Sequence, residues 1–189
     1  MHGAGQVVSA FPDGRAAIAV LGPSRLEGPK EKRALELAAS LGLYIARAGY
    51  GLVILGHGPI AFAAGRAAQQ ADGPVLAVST EGRIDLPSAR HEARPSSLQA
   101  MERVLEAASA VILIHGDLQA VALLTQIWAW GLETDAPFRQ AILVGEGWPE
   151  TVRTLADAAS LDARTRAMVT FAREAPEAVE ALRYYVAPR

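Results

Sequence analysis

Short, wholly apolar runs alternate along the chain with longer stretches whose apolar residues recur at helical spacing. Residues 16–21 (AAIAVL) are the first such run, the pattern of a strand covered on both faces in a parallel sheet. Gly22-Pro23-Ser24-Arg25 ends it. Pro29 suits the first helical position, and the spacing predicts a helix from there to Arg47 with Leu35, Ala38, Ala39 and Leu43 on its buried stripe. Gly49-Tyr50-Gly51 breaks that helix before a second strand over 52–55. Gly56-His57-Gly58-Pro59 then leads into a small-residue helix over 60–71, closed by Asp72-Gly73, and 74–79 forms a third strand.

Residues 80–95 show no period and read as a long loop. A helix over 96–107 and a fourth strand over 110–114 follow. Asp117 is placed to cap a helix running to about Glu133. A fifth strand over 140–144, a helix over 149–160, a sixth strand over 168–172 and a closing helix over 177–184 complete the pattern. Such alternation predicts an α/β fold, a doubly wound and mostly parallel sheet with helices on both faces and right-handed crossovers. Residues 15–189 read as one domain behind an N-terminal extension of residues 1–14. No internal repeat or low-complexity tract interrupts it.

The chain has 189 residues, a net charge of −2, 51% hydrophobic and 20% charged residues. That length suits one domain of about 100–200 residues and excludes a disordered or collagen-like chain. A near-neutral balance disfavours nucleic acid and acidic lipid as partners. No apolar run of about 18 residues is present, so no membrane span is expected. The first residues lack a basic segment followed by an apolar stretch of about 7–15 residues, so a cytoplasmic location is expected. Zero Cys removes disulfides, thiolate nucleophiles and Cys-based zinc sites. No metal or cofactor site is predicted. Asn is also absent, and only Lys30 and Lys32 are lysines among the basic residues. Selection against thermolabile residues accounts for this, as does a GC-rich genome.

In doubly wound sheets ligands sit beyond the carboxyl ends of the strands where the strand order reverses. With order 3-2-1-4-5 that point lies between the first and fourth strands. Three turns are expected to meet there, contributing Gly22, Ser24 and Arg25, then Gly56, His57 and Gly58, then His115 and Gly116. Glycine lets backbone N–H groups approach a ligand, and a helix N-terminus attracts phosphate. Ser24 adds a hydroxyl and Arg25 a fixed positive charge. The set points to a nucleotide or another phosphorylated small molecule, whereas tight turns alone also account for the glycines. Asp117 at the start of the next helix acts most simply as a cap worth about 1 kcal/mol, and its charge repels phosphate. Pairing of Asp117 with His115 or His57 is the alternative, a weak catalytic cluster in which a neutral imidazole exchanges protons or binds a metal.

The order of elements, the run Leu52-Val53-Ile54-Leu55-Gly56-His57-Gly58 and the run Ala108 to Gly116 (ASAVILIHG) resemble the LONELY GUY, or "lysine decarboxylase-like", superfamily. This Rossmann-like group includes nucleoside-monophosphate phosphoribohydrolases and related molybdenum-cofactor carrier and DNA-processing proteins. The resemblance spans residues 16–185 and rests on layout, because the signature motifs are degenerate. The family's GGGxxG stands here as Gly56-His57-Gly58-Pro59-Ile60-Ala61. Its PGGxGTxxE stands as His115 to Leu123 (HGDLQAVAL), which keeps only Gly116. The position of the catalytic Glu is Leu123. That of the catalytic Arg falls on or near Ala100, with Arg103 the nearest candidate. Hydrolysis of this type needs a carboxylate to handle water and ribose hydroxyls and a cation for phosphate. The resemblance therefore implies the fold without the chemistry.

The segment 118–132 (LQAVALLTQIWAWGL) carries no charge and is apolar around most of its circumference. A helix apolar on all sides is buried on all sides. Trp128 and Trp130 project about 200° apart, so a second copy of the chain is the natural cover, with Leu124, Ile127, Trp128 and Trp130 as interface candidates. The resemblance likewise implies homodimers through this region. Burial by the C-terminal helix of the same chain is the alternative. The loop over 80–95 carries Arg83, Arg90, His91 and Arg94 and reads either as a solvated loop or as a lid over an anion. The leading functional expectation is a non-catalytic homodimer that binds a nucleotide or other phosphorylated small molecule. The alternatives are a divergent phosphoribohydrolase and a cofactor carrier or assembly protein.

Overall fold

The computed structural model describes residues 10–23, 27–56, 58–80, 82, 85–132 and 140–186. The sheet comprises β1 (Ala17–Leu21), β2 (Gly51–Leu55), β3 (Val75–Ser79), β4 (Arg90–Ala93), β5 (Ala110–Ile114), β6 (Gln140–Val144) and β7 (Val169–Ala172). Its order is β4-β3-β2-β1-β5-β6-β7, and every pairing is parallel. The order expected for the five central strands is therefore observed. Reversal falls between β1 and β5, where Ile18 lies opposite Ala110 and Leu21 opposite Leu113.

Helices cover both faces because the strands are apolar on both. On one face α1 (Pro29–Arg47), α2 (Pro59–Gln70) and α7 (Ala175–Tyr185) bury Ile18, Val20, Leu52, Ile54 and Ile112. On the other, α3 (Ser97–Ala107), α4 (Leu118–Leu132), α5 (Trp148–Ala158) and the short α6 (Ala163–Arg166) surround Ala19, Leu21, Val53, Leu113 and Leu143. Strand residues of successive parity thus serve opposite cores, as the pleat requires. The fully buried Trp148 donates its indole N–H to Leu113 O at 3.0 Å, and Tyr50 donates its hydroxyl to Val186 O at 2.9 Å. Both large rings are polar-satisfied.

Helices α1 and α2 pack at backbone distance. A Cβ on Gly42 would run into the Ala64 carbonyl, so only glycine permits this approach.

The structure corrects the reading of three segments. The stretch 80–95 is not a loop throughout, because β4 lies within it as an edge strand, with Ala77 opposite His91. Its sequence RHEA is half-exposed and carries charge, so the apolar signal of an inner strand is missing. Charged side chains are what protect a sheet edge from unwanted pairing. Helix α6 had no sequence signal beyond Asp162, whose carboxylate accepts from the Thr165 N–H at 2.7 Å. The segment before residue 15, read as an extension, places Ala10 and Phe11 in the core beside β1 and β2.

Candidate functional site

Beyond the carboxyl ends of β1, β2 and β3 the protein has a cleft of about 390 Å³. Its floor is Gly22 and Pro23 after β1, Gly56 and Gly58 after β2, and Ser79 and Thr80 at the end of β3. The start of α2 closes one side with Ile60 and Ala61. Opposite, α3 contributes Ser97, Leu98, Ala100 and Met101, and α4 contributes Gln119, Leu123 and Gln126. Two of the three turns expected to converge therefore do so. Ser24, Arg25 and His57 belong to the same turns but lie outside the described residues.

The turn after β5 behaves differently from expectation. Gly116 packs against the neighbouring turn, since a Cβ there would stand 2.5 Å from Pro23. That contact joins the turns on either side of the reversal point without leaving a ligand space. His115 faces the turn after β6: its ring meets Trp148 edge to face at 5.2 Å, and a Cβ on Gly147 would run into the imidazole. Burial, followed by the Lys30 charge, holds the His115 imidazole below its usual value. Asp117 accepts a hydrogen bond from the Ala120 N–H at 3.2 Å, the geometry of a helix cap. Neither His115 nor Asp117 lines the cleft.

Both positions that the family resemblance assigned to catalysis, Ala100 and Leu123, do line it. Each is buried and apolar. The side chains that supply polarity, Ser79, Thr80, Ser97, Gln119 and Gln126, are all neutral, and Ser79 spends its hydroxyl on the Gly82 carbonyl at 2.5 Å. Among the described residues no charged side chain lines the cleft. Arg103 lies on α3 outside it and donates to Glu92 at 2.7 and 3.2 Å. Arg94 binds the same carboxylate at 2.8 Å and Arg90 at 3.0 Å. The hydrogen bond from Arg103 is the main reason the Glu92 carboxyl stays below the usual range, aided by the charges of Arg90 and Arg94. Of the arginines read as a lid, Arg90 and Arg94 thus tie down β4, and Arg83 lies outside the described residues.

The interface candidates also need correction. Leu124, Ile127 and Trp128 are buried in the core of their own chain and Trp130 packs on it half-buried. What α4 exposes is a different stripe, with Leu118 at 81% and Leu132 at 54% exposure. Ala122, Thr125 and Ala129 lie exposed between them. No sequence argument singled out this stripe, although its 4-3-4-3 spacing is visible in the sequence. Among the described residues no cluster of three His, Asp or Glu could hold a metal, and no helix is long and apolar enough to cross a membrane.

No family model matches the chain, and neither does any curated protein. Solved structures do. The molybdenum cofactor carrier protein of Chlamydomonas reinhardtii is 18% identical, with a TM-score of 0.68 over 90% of this chain and 98% of that one. The molybdenum cofactor binding protein of the phototrophic bacterium Rippkaea orientalis is 19% identical, with a TM-score of 0.64 over 90% and 96%. DNA processing protein A of Helicobacter pylori is 12% identical, with a TM-score of 0.57 over 90% and 81%. At these identities the likeness establishes the fold. Carrier and DNA-processing proteins are among the relatives that the sequence resemblance implied, and the shared fold agrees with it.

Proposed function

We propose that this chain holds a phosphorylated small molecule in the cleft without hydrolysing it, as a carrier for a heterocyclic cofactor of the pterin class. The observation that carries this reading is the pair Leu123 and Ala100, which line the cleft where a hydrolase of this fold would need a carboxylate and a cation. A carrier needs neither. The likeness to molybdenum-cofactor carriers supports the cargo class, and a volume of about 390 Å³ falls in the range of small-molecule sites. The N-cap of α2 is Gly58, with no side chain to occupy the helix start, so the N–H groups beyond Pro59 can face an anionic oxygen. Here the molybdenum cofactor is cargo, with the neutral hydroxyl and carboxamide groups facing its ring and the glycine turns facing its phosphate.

Thermal unfolding with the molybdenum cofactor and a panel of nucleoside monophosphates tests this. A ligand at 100-fold excess over its dissociation constant adds about 2.7 kcal/mol of stability. The expected result is a shift with cofactor and no release of base from any monophosphate. Base release that is lost on changing Arg25 to Ala would replace the carrier with the divergent phosphoribohydrolase.

The same reading includes a homodimer through α4. Leu118, Ala122, Thr125, Ala129 and Leu132 form an uncharged exposed stripe at the spacing of a coiled-coil seam. Its middle is small, and Thr125 returns its hydroxyl to the Ala122 carbonyl at 2.8 Å, so two such helices can approach closely without stranding a polar group.

A further inference from the structure

The wall between α3 and α4 has more shape than a generic phosphate site requires. Gln119, Leu123 and Gln126 are spaced −4, 0 and +3 along α4, so they share one helical face, with the leucine between two carboxamides. Across the cleft stand Ser97, Leu98 and Met101 of α3. Leu98 is 62% exposed at the lip of the cleft, a large apolar side chain that the protein itself leaves uncovered. Neither Gln119 nor Gln126 makes a side-chain hydrogen bond among the described residues. Two unpaired carboxamides about an apolar centre, facing a second apolar surface, form a slot with greasy faces and polar ends.

We infer that this slot receives the flat, uncharged heterocyclic ring of the ligand, its faces against Leu123, Met101 and Leu98 and its edge read by Gln119 and Gln126. A carboxamide both donates and accepts, so it matches a ring edge that carries N–H beside C=O, as guanine and pterin rings do. Leu123, only 4% exposed, then forms the floor of the slot beneath the ring, where a carboxylate would be desolvated. The phosphate of the same ligand is left to the glycine turns. This inference rests on the proposed binding function and names the ring class for that site.

The test pairs ring-bearing with ring-lacking anions in calorimetric titration: dihydroneopterin triphosphate against tripolyphosphate, and guanosine 5′-monophosphate against ribose 5-phosphate. In at least one pair the ring-bearing member should bind at least about tenfold tighter. Leu98→Ser and Gln126→Ala, both at exposed positions, should each weaken that member about fivefold and leave the ring-lacking anion unchanged. Leu123→Ala should do the same, with the exposed variants guarding against a loss that reflects folding alone. Equal binding within both pairs, or variants without effect, would overturn the slot while leaving a phosphate-binding protein. No binding by any of the four probes would overturn the binding function and the slot with it.

Discussion

Residues of the turn after β6, 30 to 33 positions further along the chain, decide the character of His115. Its position after β5 is legible in the sequence, but its direction is not. Gly145 and Gly147, after β6, leave the space into which the ring turns, and Trp148 provides the surface. A local motif carries no record of that packing. Burial lowers the affinity of the folded protein for a proton at this site, with the Lys30 charge second. The unfolded chain protonates His115 first as pH falls through the usual imidazole value of 6.5. Stability that is intact above that value is therefore lost progressively as pH drops toward the lower folded value. His115→Phe keeps a ring beside Trp148 and removes the titration. Denaturant midpoints measured from pH 7.5 to 5.5 should fall less steeply in the variant than in the parent. Parallel slopes would show that the imidazole does not contribute. Leu123 and Ala100 contrast with His115: the family resemblance singles out both positions from sequence alone, and both line the cleft.

Among the elements, inner strands and edge strand follow different rules. The strands over 110–114 and 140–144 have the bounds the sequence predicts, because a strand buried on both faces is apolar along nearly all its length. β4 obeys the opposite requirement, and its stretch, having no period, reads as a loop. What holds it is Glu92, with a side chain only 12% exposed, joined to Arg90, Arg94 and Arg103. The carboxyl is held below its usual range, chiefly by the Arg103 hydrogen bond, so its contribution is full above the ordinary glutamate range and disappears as pH falls through the lower folded value. Glu92→Gln leaves three guanidinium groups facing a neutral amide. A loss of about 1–3 kcal/mol near pH 7 is expected from urea unfolding. The gap between variant and parent should close in acid, where the parent carboxyl is itself protonated.

For the whole molecule, the sequence marks α4 as apolar but does not say which of its faces meets the core. Helical phase decides which residues turn inward, and phase depends on where the sheet lies beneath the helix. Leu124, Ile127 and Trp128 turned out to serve the internal core, leaving Leu118 and Leu132 to solvent. If two copies meet on that stripe, light scattering after size exclusion should give twice the 19.9 kDa chain mass. Leu118→Glu should return it to a single chain while preserving the melting curve at low concentration. A parent protein of single-chain mass would refute the dimer. The Gly42 contact also bears on the cleft, because α2 forms one of its sides. Because α1 and α2 meet backbone to backbone at Gly42 and Ala64, relative sliding there would drive main chain into main chain. Main chain packed on main chain has no rotamer to change, so a side chain placed at Gly42 would have to displace α2, and with it Ile60 and Ala61 on the wall of the cleft.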